Sequence, residues 1–172
     1  KSNEITAIPE LLDELSDNCV KNNTITIDAI GCQTEIATKI IDKEAHYLLA
    51  VKNNQKGLRE EIENGFKFLK VTSFDEQWEY DHNRYEVRKC KILKAKDVLH
   101  PKTLKKWTGI KTLVKIQSTR TIKNLTTSET RFYISSEELQ VEDYNKYTRG
   151  HWSIENHLHW HLGTLQTHLV KA

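Results

Sequence analysis

Methionine is absent from these 172 residues, proline occurs twice (Pro9, Pro101) and glycine only six times. What remains, 37% hydrophobic and 29% charged, is the composition of an ordinary globular chain. No apolar run approaches the ~20 residues of a membrane helix, so no membrane partner is expected. The opening KSNEITAIPELL lacks the basic, apolar and small-residue regions of a signal peptide. Because it also lacks an initiator Met, the chain is expected to be a fragment whose start lies upstream. Cysteine is odd in number (Cys19, Cys32, Cys90) and never spaced C-x-x-C. That excludes a cysteine-based zinc ribbon and fits reduced thiols in a cytosolic protein. There is no internal repeat or low-complexity segment. At this length the expectation is one domain, with room for an insertion.

Acidic residues are scarce in one region only. Residues 84–123 hold thirteen Lys/Arg against Glu86 and Asp97, a net +11, while the rest of the chain carries −9. Charge concentrated in this way suits a phosphate backbone, whose binding is driven by counterion release. A solvated face of a lysine-rich protein is the bland alternative. Arg88, Lys89, Lys91, Lys105, Lys106, Lys115 and Arg120 are the candidate nucleic-acid contacts.

Residues 8–16 predict a helix, with Pro9 at its first position and Ile8, Leu11, Leu12 and Leu15 on one face. Thr24 to Ile27 is a β-branched strand ending at Asp28. Helical period returns from Gln33 to Asp42, and residues 46–52 form an apolar run expected of a strand buried on both faces. This is a parallel βαβ unit. It puts Asp28, Lys52 and Gln55 at the carboxyl edge, where open α/β sheets place their chemistry. A loop and helix follow. Residues 84–93, 110–122 and 129–136 then read as an antiparallel meander carrying the basic segment. Turn signals lie at His100-Pro101, at Gly109 and from Asn124 to Ser128.

From Glu137 to about Thr167 the period is helical again, with Ile154, Leu158, Leu162, Leu165 and Leu169 as a buried seam. RGHWSIENHLHWHLG (149–163) lies on it. Its histidines form the i, i+4 pairs His157–His161 and, flanking Glu155, His151–His159, so zinc is one reading. Trp152 and Trp160 read as packing on the seam's flank. Glu155 is the residue to single out, because a carboxylate beside an apolar seam is costly unless paired or bound to a cation. Arg149 reads equally as a contact to a phosphate or as a partner of Glu142 or Asp143. Cys32 reads as a small buried residue rather than a nucleophile.

Two stretches, ITIDAIGCQTEIATKIIDKEAHYLLAVKNNQ (25–55) and YTRGHWSIENHLHW (147–160), resemble the H-repeat-associated transposases of bacterial insertion sequences. KSNEITAIPELLDEL and TRFYISS (130–136) resemble the same family. The resemblance implies a DDE transposase with an RNase H-like α/β fold, acting in the bacterial cytoplasm. It implies three carboxylates holding two Mg²⁺ (or Mn²⁺) ions ~3.5–4 Å apart for cleavage and strand transfer of DNA. Asp28 matches the second carboxylate and Glu155 the third, both as metal ligands. The first lies in an Asp-Gly-Lys motif, and no Asp-Gly pair occurs in this chain. Gly163 stands where an Asp is expected. The expectation is therefore a partial RNase H-like fold, truncated at both ends. Residues 1–55 would be a partial catalytic core, 56–136 a basic β-rich insertion, and 137–172 the Glu-bearing helix. The core sheet would keep two strands, and strand cleavage by the chain alone would be negligible. The implied partners are double-stranded DNA, as insertion ends and target, and a full-length transposase. Two other readings stay open: a non-catalytic DNA-binding remnant or inhibitor, and a zinc-binding helical module.

Overall fold

The β-branched tetrapeptide Thr24–Ile27 is buried along its whole length and forms β1. The computed structural model that shows this describes residues 4–16, 20–71, 73–81, 84–158 and 168–170. β1 runs parallel to β2 (His46–Val51), with Thr24 opposite His46 and Ile27 opposite Leu49. Between them α2 (Thr34–Asp42) buries Ile36, Ala37 and Ile40. This is the βαβ unit expected from the alternation of hydrophobic period. Before it, α1 (Glu4–Glu14) packs on α2 and on the short 3₁₀ turn Ala29–Gly31.

α3 (Lys56–Phe68) leads to β3 (Ser73–Asp81), β4 (Arg84–Lys94), the short helices α4 (Ala95–Val98) and α5 (Pro101–Lys106), β5 (Thr112–Ile122) and β6 (Leu125–Ser135). α6 spans Val141–Leu158, and β7 is His168–Val170. Among the described residues one sheet holds all the strands, in the order β3-β4-β5-β6-β2-β1-β7, and only the β1–β2 pair is parallel.

The meander is continuous with the βαβ strands, because β6 pairs antiparallel with β2 from Leu48↔Ser135 to Val51↔Phe132. β1 and β2 are therefore interior strands rather than a two-stranded edge, since β7 pairs with β1 (Thr24↔Val170). β3 was unexpected. It pairs with β4 over all nine of its residues.

Two turn signals also resolve differently. Pro101 starts α5, where a missing N–H costs nothing. The β5–β6 turn is confined to Lys123 and Asn124, at φ 47° and 65°, the two-residue hairpin that matches strand twist. Residues 125–128 are strand because their hydroxyl side chains find cross-strand partners: Thr121 with Thr126 at 2.9 Å and Thr119 with Ser128 at 3.5 Å.

One face of the sheet is covered by α1–α5, with Leu12, Ile25, Ile36, Leu49, Leu58, Ile62, Trp107, Leu113 and Ile134 in its core. The other face is covered by α6, through Leu48, Cys90, Val114, Ile116, Tyr133, Val141 and Tyr144. The segment before α6 is fixed at Glu137. Its carbonyl accepts from Thr112 Oγ1 at 2.5 Å and Tyr144 OH at 2.7 Å, and its carboxylate accepts from Thr24.

Candidate active site at the carboxyl ends of the parallel strands

β1 ends at Asp28, which takes an extended conformation and opens the 3₁₀ turn; its carbonyl accepts from Gly31 N at 3.0 Å. Gly31 is required here. A Cβ on it would lie 2.3 Å from Ile27 Cγ2 and 2.8 Å from Ile8 Cδ1, both on buried side chains. Gly31→Ala is expected to cost about 1–2 kcal/mol. A melting temperature equal to that of the unsubstituted chain would count against this packing.

β2 ends one residue before Lys52, which opens a second 3₁₀ turn, Asn53–Gln55. The two turns are clamped together. Asn54 Nδ2 donates to Ala29 O at 2.5 Å and Gln55 Nε2 to Cys32 O at 2.8 Å, while Lys52 Nζ lies 3.3 Å from Asp28 Oδ1. Both members of this ion pair are water-accessible, with side chains 57% and 39% exposed.

β6 runs on past the end of β2, leaving a cavity of about 220 Å³ beside the two turns. Asp28, Lys52, Arg59, Glu129, Arg131 and Tyr133 are among the residues lining it. Arg131 chelates Glu129 through Nε and Nη2 at 2.7 and 2.8 Å, and Arg59 bonds Glu63 and Asn53, each at 2.7 Å. Arg131, Phe132 and Tyr133 come from the TRFYISS stretch, but the part of Arg59, Glu129 and Arg131 in this wall carries no local sequence signal.

Cys32 is fully buried, and burial pushes its thiol up to about 12. A thiol this reluctant to ionise is a packing residue, as expected, not a nucleophile.

Glu155 falls within α6, but its side chain lies outside the described residues, as do those of His151, Trp152 and His157. Residues 159–167, with His159, Trp160 and His161, also lie outside them. The Asp28–Glu155 pairing and the zinc reading are therefore left as expectations. Among the described residues no three His, Cys, Asp or Glu converge. Asp28 fits a hard divalent ion in kind: it is an exposed carboxylate already neutralised by a cation.

The basic candidates do not form one surface. Strand alternation puts Lys89, Lys91 and Lys115 on the α1–α5 side of the sheet, with Lys89 2.9 Å from Glu76. Lys91 Nζ lies 5.9 Å from the Phe74 ring centroid and Lys115 Nζ 6.0 Å from that of Phe132. Arg88 and Arg120 point to the α6 side, where both pair with the buried Glu86. Burial holds the Arg88 guanidinium below its ordinary pKa. Lys105 and Lys106 are exposed on α5. Arg149 pairs with Glu79 of β3, rather than with Glu142 or Asp143.

The chain thus carries a mixed sheet with a carboxylate at the end of a parallel strand and a later helix across one face. The transposase DDE domain family matches residues 1–170, and the chain belongs to that family. It is 43% identical over 173 residues to YncI of Escherichia coli O157:H7, whose name places it among the transposases. That match covers 94% of this chain and 42% of YncI. YhhI of Escherichia coli (strain K12), named among the H repeat-associated transposases, is 39% identical over 170 residues, covering 94% of this chain and 44% of YhhI. YbfD of the same strain, named in the same way, is 47% identical over 73 residues, covering 42% of this chain and 28% of YbfD. The chain thus spans less than half the length of these relatives. No solved structure matches it.

Proposed function

We propose that this chain forms part of the catalytic domain of a DDE transposase that cuts and joins DNA at insertion-sequence ends. The observation that carries the reading is Asp28, presented at the carboxyl end of a parallel strand, beside a cavity, in a chain of this family. Asp28 and Glu155 are assigned as ligands of the divalent ions, Mg²⁺ or Mn²⁺. Bound there, such ions supply the charge that activates a water or 3′-hydroxyl and stabilises the leaving oxygen of a phosphodiester.

The chain's own residues do the positioning. The 28–32 and 52–55 turns hold the Asp28 carboxylate at the cavity mouth, and Lys52 neutralises it until a metal ion is taken up. In this reading residues 1–55 and 137–172 belong to the catalytic unit and 56–136 to a DNA-facing insertion. The partners are double-stranded DNA and a full-length transposase, met in the bacterial cytoplasm.

The test is Mn²⁺ binding, followed by the loss of the free-ion spin-resonance signal. Asp28→Asn is expected to weaken binding at least tenfold, the cost of losing a charged ligand from a site with few. Equal affinity in the two proteins, or no Mn²⁺ bound by either, would overturn the assignment. A second reading, a non-catalytic DNA-binding remnant or inhibitor, is favoured by the basic face of Lys89, Lys91 and Lys115, which lies outside the Asp28 cavity. It would show as duplex binding by a chain that takes up no Mn²⁺.

A further inference from the structure

We propose that Lys52 is a phosphate-binding residue: its ammonium takes an oxygen of a DNA phosphodiester, seated in the cavity at the ends of β1 and β2, in exchange for Asp28. The inference deepens the reading above and rests on it for the identity of the nucleic acid.

Three cations and two carboxylates line this cavity: Lys52, Arg59 and Arg131 with Asp28 and Glu129. Both guanidinium groups are held by short bonds, Arg131 by a two-pronged contact to Glu129 and Arg59 by Glu63 and Asn53. Lys52 differs. Its ion-pair partner among the described residues is Asp28, at the longer distance of 3.3 Å, and its side chain is more than half exposed. An ammonium has three donors on a flexible stem, so it can turn from one oxygen to another at small cost.

Its place is nonetheless fixed. The Lys52 carbonyl accepts from Gln55 N at 3.1 Å, and the Asn54 and Gln55 side chains tie this turn to the carbonyls of Ala29 and Cys32. The backbone that carries the amine therefore stays at the cavity beside Asp28 whichever oxygen the amine holds. A carboxylate that takes up a divalent cation no longer attracts an ammonium, and a second cation against it is repelled. The same event leaves the cavity with excess positive charge, which a phosphodiester neutralises.

Fluorescence anisotropy of a labelled duplex, titrated over a range of salt, tests this in proteins with and without Asp28→Asn. In metal-free buffer Asp28→Asn, which frees the ammonium, is expected to tighten duplex binding, and adding Lys52→Gln should remove the gain. With Mn²⁺ present and Asp28 intact, Lys52→Gln is expected to weaken binding about three- to tenfold and to flatten the slope of log K against log salt by about 0.9, the loss of one phosphate contact. Lys52→Arg should preserve both. Unchanged affinity and slope for Lys52→Gln in both backgrounds would overturn the proposal, even if Asp28→Asn still abolished Mn²⁺ uptake. Absence of Mn²⁺ uptake by the unsubstituted chain would instead sink the catalytic reading, leaving the metal-free pair of variants to decide the role of Lys52.

Discussion

Trp107→Ala is expected to lower the unfolding free energy by about 3–5 kcal/mol, the range for removing a buried aromatic side chain from a packed core. Trp107 is 1% exposed and is the largest fully buried side chain among the described residues. It follows α5, where its N–H donates to Thr103 O at 3.2 Å and its carbonyl accepts from Ile110 N at 3.2 Å. The chain then turns at Gly109 (φ +74°) and enters β5 through Lys111, whose N–H donates to Ser135 O at 2.9 Å and whose carbonyl accepts from Ala95 N at 2.7 Å. These bonds pin both ends of the segment, so it cannot collapse into the space the indole leaves. Nor can a side chain at 109 fill the space, because a Cβ there would stand 3.0 Å from Ile41 Cδ1 on a backbone of positive φ. At about 2–4 °C per kcal/mol for a chain of this size, the melting temperature should fall by roughly 10 °C. A fall of only a degree or two in thermal circular dichroism would mean that the indole does not fill this core.

Trp107 also shows why part of the fold was hidden in the sequence. KKWTGIK has no period of two or three to four, so nothing local marks Trp107 as core. β1, α2 and β2 were legible because burial on both faces leaves an apolar or β-branched run in a strand and burial on one face imposes a period on a helix, which Ile36, Ala37 and Ile40 follow. β3 was not, because Glu76 breaks the apolar set of Phe74, Trp78 and Tyr80, while Asp75 and Glu79 make its other face acidic. Those acids belong to the fold: Glu76 pairs with Lys89, Asp75 accepts from Asn145 Nδ2 at 2.8 Å, and Glu79 takes Arg149. The pairing of β6 with β2 links residues more than eighty positions apart, and such register has no local signature. In the candidate site, Asp28 was legible as a strand-end carboxylate in a family motif. Its partner Lys52 could be placed only at the same edge, since the contact depends on two turns meeting in space. The basic segment was legible as charge, and its sidedness follows from strand parity once β4 is known, with Arg84, Glu86 and Arg88 on one face and Lys89 and Lys91 on the other.

That parity sets up the second large effect. Glu86 is 7% exposed and collects three guanidinium groups: Arg84, Arg88 at 3.6 Å and Arg120 at 3.5 Å. Glu86→Ala is expected to cost about 2–4 kcal/mol, because removing one partner of a buried ion cluster strands the other charges. Arg88 suffers most. Its side chain is 17% exposed, and Nη1 is buried with no hydrogen-bond partner among the described residues. The pH dependence has a defined sign. Burial alone would push the Glu86 carboxyl up, but the Arg84 hydrogen bond and the charges of Arg84, Arg120 and Arg88 outweigh it and hold it below its ordinary value. A carboxyl lowered by folding contributes its stability in full above the unfolded-state value of about 4.3 and loses it as the pH falls through the folded-state value. Urea midpoints for the unsubstituted chain and Glu86→Ala should therefore lie well apart at neutral pH and converge in acid. A gap that is the same at both would mean the cluster contributes packing and not charge. The arginines are also removed from the DNA ledger by this arrangement: while Glu86 holds them, Arg88 and Arg120 offer a phosphate less than Lys91 and Lys115 do. Glu86→Ala should then tighten duplex binding even as it weakens the fold.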